Sequence, residues 1–512
     1  MKNKLSLLII SFISMIGTAQ NVAWVKQGKA PKTEYGNGIA FDNDQFIYVT
    51  GKFQDSIRFD QYLLTEPFGT YCVKYDTSGN VQWAIENVGG DGITYNGNGA
   101  LYLYNNQSTS IQKLDLSGNV IWNNAIFNSS MFGTNGFLDV FCKGNDVYAT
   151  GFYSGNATFT NSTLINNEPA SGDWDIFITK LNDMGADVWI ATAGGNGLDK
   201  GYDILVDDND NIYTTGYFRD TANFSGIQKI SNGIQDLYIA KYDSNGNVVW
   251  VNTYGGTGFD MGGRLTIDNN ANLYTMGRFN NTVSFGSNSL TATGSDVFIA
   301  KTSPSGSLFW TKAVSGMGND EEAEIQYIDG KVNFIATTAG TVTLNSLSQT
   351  QLGGLDMCFG TIDTTGTDLW LKLYGGSSDD EANGIVCHDQ NIYFSGNFKT
   401  TANFDTYPLV SQGQWDMVVG KIGPSIATTI HNSNYPEQGI IFPNPATDKF
   451  FLQTRSAITS LEIYNLSGKL ISTQELQGNR LHEIKMDLPE GLYLLKQTDN
   501  NSSRISKLTI VK

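Results

Sequence analysis

The sequence predicts an all-β protein: a seven-bladed β-propeller closed by an N-terminal strand, followed by a small β-sandwich. Three observations predict it. A phrase recurs at intervals of about sixty residues, the spacing of a repeat built from several strands. The composition is rich in Gly and aromatic residues and poor in charge. A Trp-bearing strand stands before the first repeat, and its counterpart is missing from the last.

The phrase reads "DLYIAKYDSNGNVVW" from Asp236 to Trp250 and "DVFIAKTSPSGSLFW" from Asp296 to Trp310. A second marker, Y-x-x-G-x-F, begins at Tyr48, Tyr148 (with Tyr153 in the last place), Tyr213, Tyr274 and Tyr393, with degenerate copies at Tyr102 and Phe334. In the unit from Gly201 the segments "YDILVDD", "NIYTTGYF", "DLYIAKYD" and "NVVWVNTY" read as four short strands of roughly alternating apolar and polar residues. The connectors "DDNDN" and "DSNGN" are turn chemistry, because Asn, Asp and Gly tolerate positive φ. A four-stranded meander has two faces to bury and two raw edges. Stacking units round an axis buries the faces, and closure protects the edges. A linear solenoid is the alternative, but its repeats are shorter. The chain ends favour the ring. The seventh unit stops at "DMVVGKIGPS" without its Trp strand, and "NVAWVKQG" around Trp24 is a spare strand able to complete it.

The chain has 512 residues, of which 40% are hydrophobic, so there is ample material to bury. Its formal net charge of -18 repels phosphate backbones and argues against nucleic acid as a partner. Residues 1–19 read as a secretory signal: basic "MKNK", an apolar run from Leu5 to Ile16, and small residues at Gly17 and Ala19. The apolar run is too short to span a membrane, and no later segment reads as a transmembrane segment. The propeller is assigned to residues 20–422, a polar linker to 423–439 and the small sandwich to 440–512. Cys72, Cys142, Cys358 and Cys387 fall in different units, and disulfide geometry needs close Cα atoms, so four free thiols are expected.

The repeats resemble those of exported bacterial β-propeller proteins, on Y-x-x-G-x-F and D-x-F-I-A-K-x-x-x-x-G-x-x-x-W, from about Trp24 to Lys421. The C-terminal segment resembles the type A C-terminal sorting domain of the type IX secretion system of Bacteroidetes. Phe442, Pro443, Asn444, Pro445 and Ala446 carry that resemblance, with Ile463-Tyr464-Asn465, Gly468, Lys469, Gly491, Leu492, Tyr493 and a basic, apolar end. It implies the type IX machinery as partner, passage through the outer membrane, removal of this domain, and release or attachment at the cell surface.

Chemistry is sparse. His388, His431 and His482 lie in the seventh unit, the linker and the sorting domain, so no catalytic or metal-binding histidine cluster is expected. The loops "GGNGLD", "GGTGFD", "SGMGND" and "GGSSDD" place Asp199, Asp260, Asp320 and Asp380 in register, with Glu34 in the matching place of the first unit. Two readings stand. These carboxylates ring one mouth of the axial channel and hold a cation such as calcium, or each accepts backbone N–H groups and fixes its own turn. Trp174 and Trp415 break the repeat just before a third strand; each either stacks on a sugar or partner, or fills a gap between blades. The expected function is a secreted or cell-surface, non-catalytic binding or adhesion module for a glycan or protein. A carboxylate-based polysaccharide-acting enzyme and a structural matrix protein are the alternatives.

Overall fold

The computed structural model describes residues 20–125, 135–165 and 173–424, and in the C-terminal part residues 440–442, 446–453, 460–465, 469–476, 481–486, 488–498 and 503–510. The signal reading of residues 1–19, His431, most of the 423–439 linker, Pro443, Asn444, Pro445 and Gly468 lie outside the described residues. The chain divides into two compact units, one ending at Ile426 and the other starting at Ala427.

The first unit is made of antiparallel four-stranded meanders with propeller-like geometry. Their first strands are Glu34–Phe41, Gly92–Tyr95, Gly136–Lys143, Lys200–Val206, Asp260–Ile267, Glu321–Ile328 and Asp380–His388. Each of these lies beside the first strand of the next meander, and Asp380–His388 lies beside Glu34–Phe41. The last meander takes its fourth strand from the other end of the chain. Gln20–Gln27 pairs antiparallel with Asp416–Pro424, with Trp24 opposite Lys421. That pairing carries the third strand to Pro424, two residues beyond the expected end, because Gln20 and Asn21 still find partners there.

The burial pattern refines the expected alternation. The second strand Ile212–Phe218 is buried at every position, and the third strand Asp236–Tyr242 at all but Lys241. Strands held between neighbouring sheets are covered on both faces and therefore read as continuous apolar runs. The outer strand Val248–Gly256 has only one covered face and keeps an alternating start.

The recurrent Trp belongs to this outer strand, and its role is repeated. The indole N–H of Trp24 donates to the Thr77 carbonyl (3.0 Å), that of Trp83 to Leu116 (3.3 Å) and that of Trp122 to Asp183 (2.9 Å). Trp189 donates to Ser244 (3.1 Å), Trp250 to Pro304 (3.2 Å) and Trp310 to Thr364 (3.4 Å). Each acceptor is in the turn between the third and fourth strands of the following meander. One residue type thus packs and satisfies one contact between neighbours, which is why it recurs at the period of the repeat.

A second lock was not legible in the sequence. Short hairpins follow the second strands, among them Thr221–Phe224 with Ile227–Ile230, and Thr401–Phe404 with Tyr407–Val410. They pair with the outer strand of the preceding meander, Ala193 opposite Phe224 and Gly376 opposite Ala402. This explains the paired glycines of the linking loops. A Cβ on Gly256 would stand 1.9 Å from the Thr282 carbonyl oxygen of the incoming strand, so only Gly admits that approach.

The C-terminal unit contains the three-stranded sheet Ile440–Phe442, Lys449–Gln453, Leu481–Lys485, and a four-stranded sheet in the order Leu470–Glu475, Ser460–Asn465, Gly491–Thr498, Ser503–Ile510. Phe450, Leu452, Ile484, Leu461, Ile463, Leu495 and Leu508 join the two in one core. Lys469 closes a hairpin turn on Asn465: its N–H donates to Asn465 Oδ1 (2.9 Å), and the Asn465 N–H donates to the Lys469 carbonyl (3.1 Å). Tyr493 is buried and donates its hydroxyl to the Pro489 carbonyl (2.9 Å). Gly491 opens the Gly491–Thr498 strand, and Phe442 ends the first strand opposite Phe451.

Candidate functional site

Glu34, Asp199, Asp260, Asp320 and Asp380 are all fully buried where the linking loop enters a first strand. Each of the four aspartates accepts backbone N–H groups. Asp199 takes those of Gly195 (3.0 Å) and Arg219 (2.9 Å), and Asp260 that of Gly256 (2.7 Å). Asp320 takes that of Ala339 (2.8 Å), and Asp380 that of Gly376 (2.6 Å). These bonds tie the linking loop to the turn that leaves the second strand. The five do not gather round one centre: among the described residues no group of three acidic, His or Cys side chains is placed to hold a metal ion.

What each meets instead is an aspartate at the start of a third strand. Asp199 faces Asp175, Asp260 faces Asp236, Asp320 faces Asp296, Asp380 faces Asp356, and Glu34 faces Asp416. The partner opens the third strand of the preceding meander, so the pairs form only when neighbours dock. Burial, reinforced by the facing carboxyl group, pushes Asp260 and Asp320 up to about 7, Asp199 and Asp380 to about 8, and Glu34 to about 10.

Trp174 and Trp415 occupy equivalent places, immediately before such an aspartate. The Trp174 carbonyl accepts the Asp199 N–H (2.7 Å), and that of Trp415 accepts the Glu34 N–H (2.9 Å). Both indoles are half-buried and carry a lysine. Lys200 Nζ lies 4.2 Å from the Trp174 ring centroid, with Phe152 alongside at 4.9 Å, and Lys399 Nζ lies 4.1 Å from Trp415.

The same backbone position holds Gln235 and Ser295 in two other meanders, where their carbonyls accept the N–H groups of Asp260 (3.0 Å) and Asp320 (2.8 Å). There the smaller side chains leave a cavity of about 350 Å³. It is lined by Tyr202, Tyr217, Gln235, Phe259, Met261, Arg278, Asn280, Ser295, Asn319, Asp320 and Glu321. Arg278 pairs with Glu321 (2.9 Å) and approaches Glu322 (3.9 Å), and its Nε lies 3.1 Å from Met261 Sδ. Phe259 is 44% exposed, with the Arg219 guanidinium 6.0 Å from its ring centroid. Sequence reasoning missed this cavity, although a signal was present: Gln235 and Ser295 stand in a column that holds Trp at 174 and 415 and Leu at 355.

A second missed group lies on the first strands. All of them except Gly92–Tyr95 carry a bulge at an equivalent place, and the residue just after it is Asp139, Asp203, Arg264 or Glu324 in four successive meanders. A bulge re-aims the side chain that follows it. Asp203 bonds to Asp139 side chain to side chain, and burial together with that neighbour pushes its carboxyl well above the usual range. Arg264 donates Nε to the Ala323 carbonyl (2.8 Å) and stands 3.7 Å from Glu324. Gly38 and Gly384 hold the same place in the first and last meanders, so the repeat itself does not require this cluster.

All four cysteines are free and buried, and burial raises the Cys72, Cys142, Cys358 and Cys387 thiols. His388 stacks on Phe41 (4.4 Å) in the first unit, and His482 is buried in the second. No helix among the described residues is long and apolar enough to cross a membrane.

Residues 440–512 match the model of the secretion system C-terminal sorting domain, and residues 24–52 that of a beta-propeller repeat. An uncharacterized WD repeat-containing protein of Acanthamoeba polyphaga mimivirus is 22% identical over 462 residues, covering 75% of this chain and 32% of that protein. The chain thus spans about a third of the length of that relative. Among solved structures, a streptogramin B lyase aligns at 12% identity over 78% of this chain and 97% of that one, with a TM-score of 0.41. A member of the DUF4221 family from Bacteroides vulgatus aligns at 9% identity over 68% and 99%, with a TM-score of 0.32. A sorting domain of this kind implies handling by the type IX export machinery and a destination outside the cell or on its surface. With its repeated meanders and its terminal module, the chain is a beta-propeller repeat protein carrying a type IX secretion system C-terminal sorting domain.

Proposed function

We propose that residues 20–422, with the strand end at Pro424, form a seven-bladed propeller closed by the Gln20–Gln27 strand, and that it is a secreted or surface-displayed, non-catalytic binding or adhesion module for an extracellular glycan or protein. Residues 1–19 direct it across the inner membrane, residues 423–439 act as a linker, and residues 440–512 direct it across the outer membrane and are then removed. The pairing of Gln20–Gln27 with Asp416–Pro424 and the contact of Asp380–His388 with Glu34–Phe41 support closure. One observation carries the binding reading. Where Trp174 and Trp415 fill the junction between neighbours, Gln235 and Ser295 leave it open, and aromatic and hydrogen-bonding side chains surround the gap. Probing a glycan array with the purified protein, with and without calcium, tests this. Binding to a defined glycan class is expected; failure in both conditions demotes the glycan reading and leaves a protein ligand. Because Asp199, Asp260, Asp320 and Asp380 already take backbone N–H groups, binding is expected to persist in a chelator.

The cluster Asp139, Asp203, Arg264 and Glu324 favours a second reading, an enzyme that cleaves polysaccharide with carboxyl groups. Burial raises both Asp203 and Glu324, the condition of a carboxyl that keeps a proton to donate near neutral pH. Release of reducing ends from a polysaccharide panel, abolished by Asp203→Asn, would support that reading; inactivity across the panel would end it.

A further inference from the structure

The cavity beside Gln235 has a definite chemical character. Its charges are matched internally: Arg278 is held by Glu321 at 2.9 Å, and Asp320 is fully buried against the backbone. Its remaining polar groups are amides and hydroxyls, from Gln235, Asn280, Asn319, Ser295, Tyr202 and Tyr217. One wall is the Phe259 ring, 44% exposed, on a backbone bridged to Gln235 and backed by the Arg219 guanidinium. An anion would have to displace Glu321 from Arg278, and an apolar ligand would offer nothing to Gln235 Nε2 and Asn280 Oδ1, the amide atoms not engaged by Arg219 and Gly294. A ring that is apolar on one face and carries hydroxyls round its edge satisfies both demands. It stacks on the exposed aromatic, while planar amide and guanidinium–carboxylate groups bond to adjacent hydroxyls.

We propose that this cavity is a subsite for one uncharged pyranose of a neutral glycan, with Phe259 as its stacking face and Gln235, Asn280 and the Arg278–Glu321 pair as its hydroxyl partners. The inference rests on the glycan-binding reading above and narrows it to one place and one class. It assigns the Trp174 and Trp415 junctions to packing, since their indoles are already occupied by Lys200 and Lys399.

The protein itself supplies the decisive variant. Gln235→Trp installs in the open junction the residue that the repeat uses in the filled ones, so it blocks the cavity while the fold has a precedent for it. Saccharides in three sets, neutral, amine-bearing and carboxylate-bearing, are titrated against the full-length protein and its variants by calorimetry. The wild-type protein is expected to bind the neutral set. Gln235→Trp and Phe259→Ala should each weaken that binding by about tenfold or more, the scale of one lost aromatic contact. Phe259→Tyr should stay within about twofold, and Trp174→Phe should not change it. Melting curves of the variants separate lost binding from lost fold. Undiminished binding by Gln235→Trp overturns the cavity as the site while leaving the glycan reading intact. Preference for the carboxylate- or amine-bearing set overturns the ligand class. No binding of any set by the wild-type protein overturns both.

Discussion

The junction at Trp174 and the junction at Gln235 share a backbone and differ in their side chains: Trp174, Leu198 and Lys200 at one stand where Gln235, Phe259 and Met261 stand at the other. In both, the carbonyl before the third strand accepts an N–H from a buried aspartate two dozen residues on, and in both that aspartate faces a second carboxyl group. At Trp174 the space above the pair is taken by the indole, Phe152 and the Lys200 ammonium. At Gln235 it is a cavity. The repeat therefore supplies a frame whose hydrogen bonds do not depend on what sits above them, and a site is made by changing the side chains set on it. Function in such an architecture is read from where a column departs from its own pattern.

The comparison is tested most severely where the two chain ends meet. Trp24→Ala removes the half-buried indole that anchors the Gln20–Gln27 strand on Thr77 and on Tyr393 (ring centroids 6.5 Å apart), and should destabilise the first unit by about 3 kcal/mol, read as a large fall in melting temperature. An unchanged melting temperature would mean that the pairing of the ends contributes nothing. The next effect is one that both junctions share. The raised carboxyl groups hold protons in the folded protein that the unfolded chain releases near pH 4, so their contribution is complete below that pH and fades as pH rises through about 7 to 8. Thermal stability should therefore fall between pH 5 and pH 8.5. Asp260→Asn, neutral throughout, should flatten that fall and be on the order of 2 kcal/mol more stable than wild type at pH 8. A melting temperature that is level or rises over this interval would contradict the carboxyl pairs.

Smaller effects separate the two junctions directly. Trp174→Ala converts the filled junction toward the open one and should cost about 2 kcal/mol, less than a fully buried Trp because the indole is half-exposed. Gln235→Trp runs the other way, and chemical denaturation should find it within about 1 kcal/mol of wild type, with stabilisation the expected sign. A loss as large as that of Trp174→Ala would mean that the two junctions are not interchangeable.

Much of this frame was legible in the chain. The Trp interval, the Y-x-x-G-x-F marker and the truncated last repeat together announce the meanders and the strand that completes the final one, and the structure pairs Trp24 with Lys421 accordingly. The "DDNDN" turn is what it reads as: Asp207 accepts the N–H groups of Asn209 and Asn211, both at 2.9 Å. The hairpin at Thr221–Ile230 was not legible, because "TANFSGIQKI" becomes a strand pair only against the preceding outer strand. Of the site, the carboxylates were legible as repeated residues; that Glu34, Asp199, Asp260, Asp320 and Asp380 each face an aspartate at the start of a third strand was not. Asp236 and Asp260 each look like an ordinary turn residue until neighbouring meanders bring them face to face.

By itself the sequence determined the class of the elements, their number per repeat, the turns and the terminal sorting module, because each rests on short-range causes: alternation, turn propensity and a period along the chain. Tertiary structure alone decided the charge-matched cavity, the raised carboxyl groups of the facing pairs and the cluster of Asp139, Asp203, Arg264 and Glu324. These depend on side chains from meanders about sixty residues apart, and only packing sets the distance, the burial and hence the electrostatics between them.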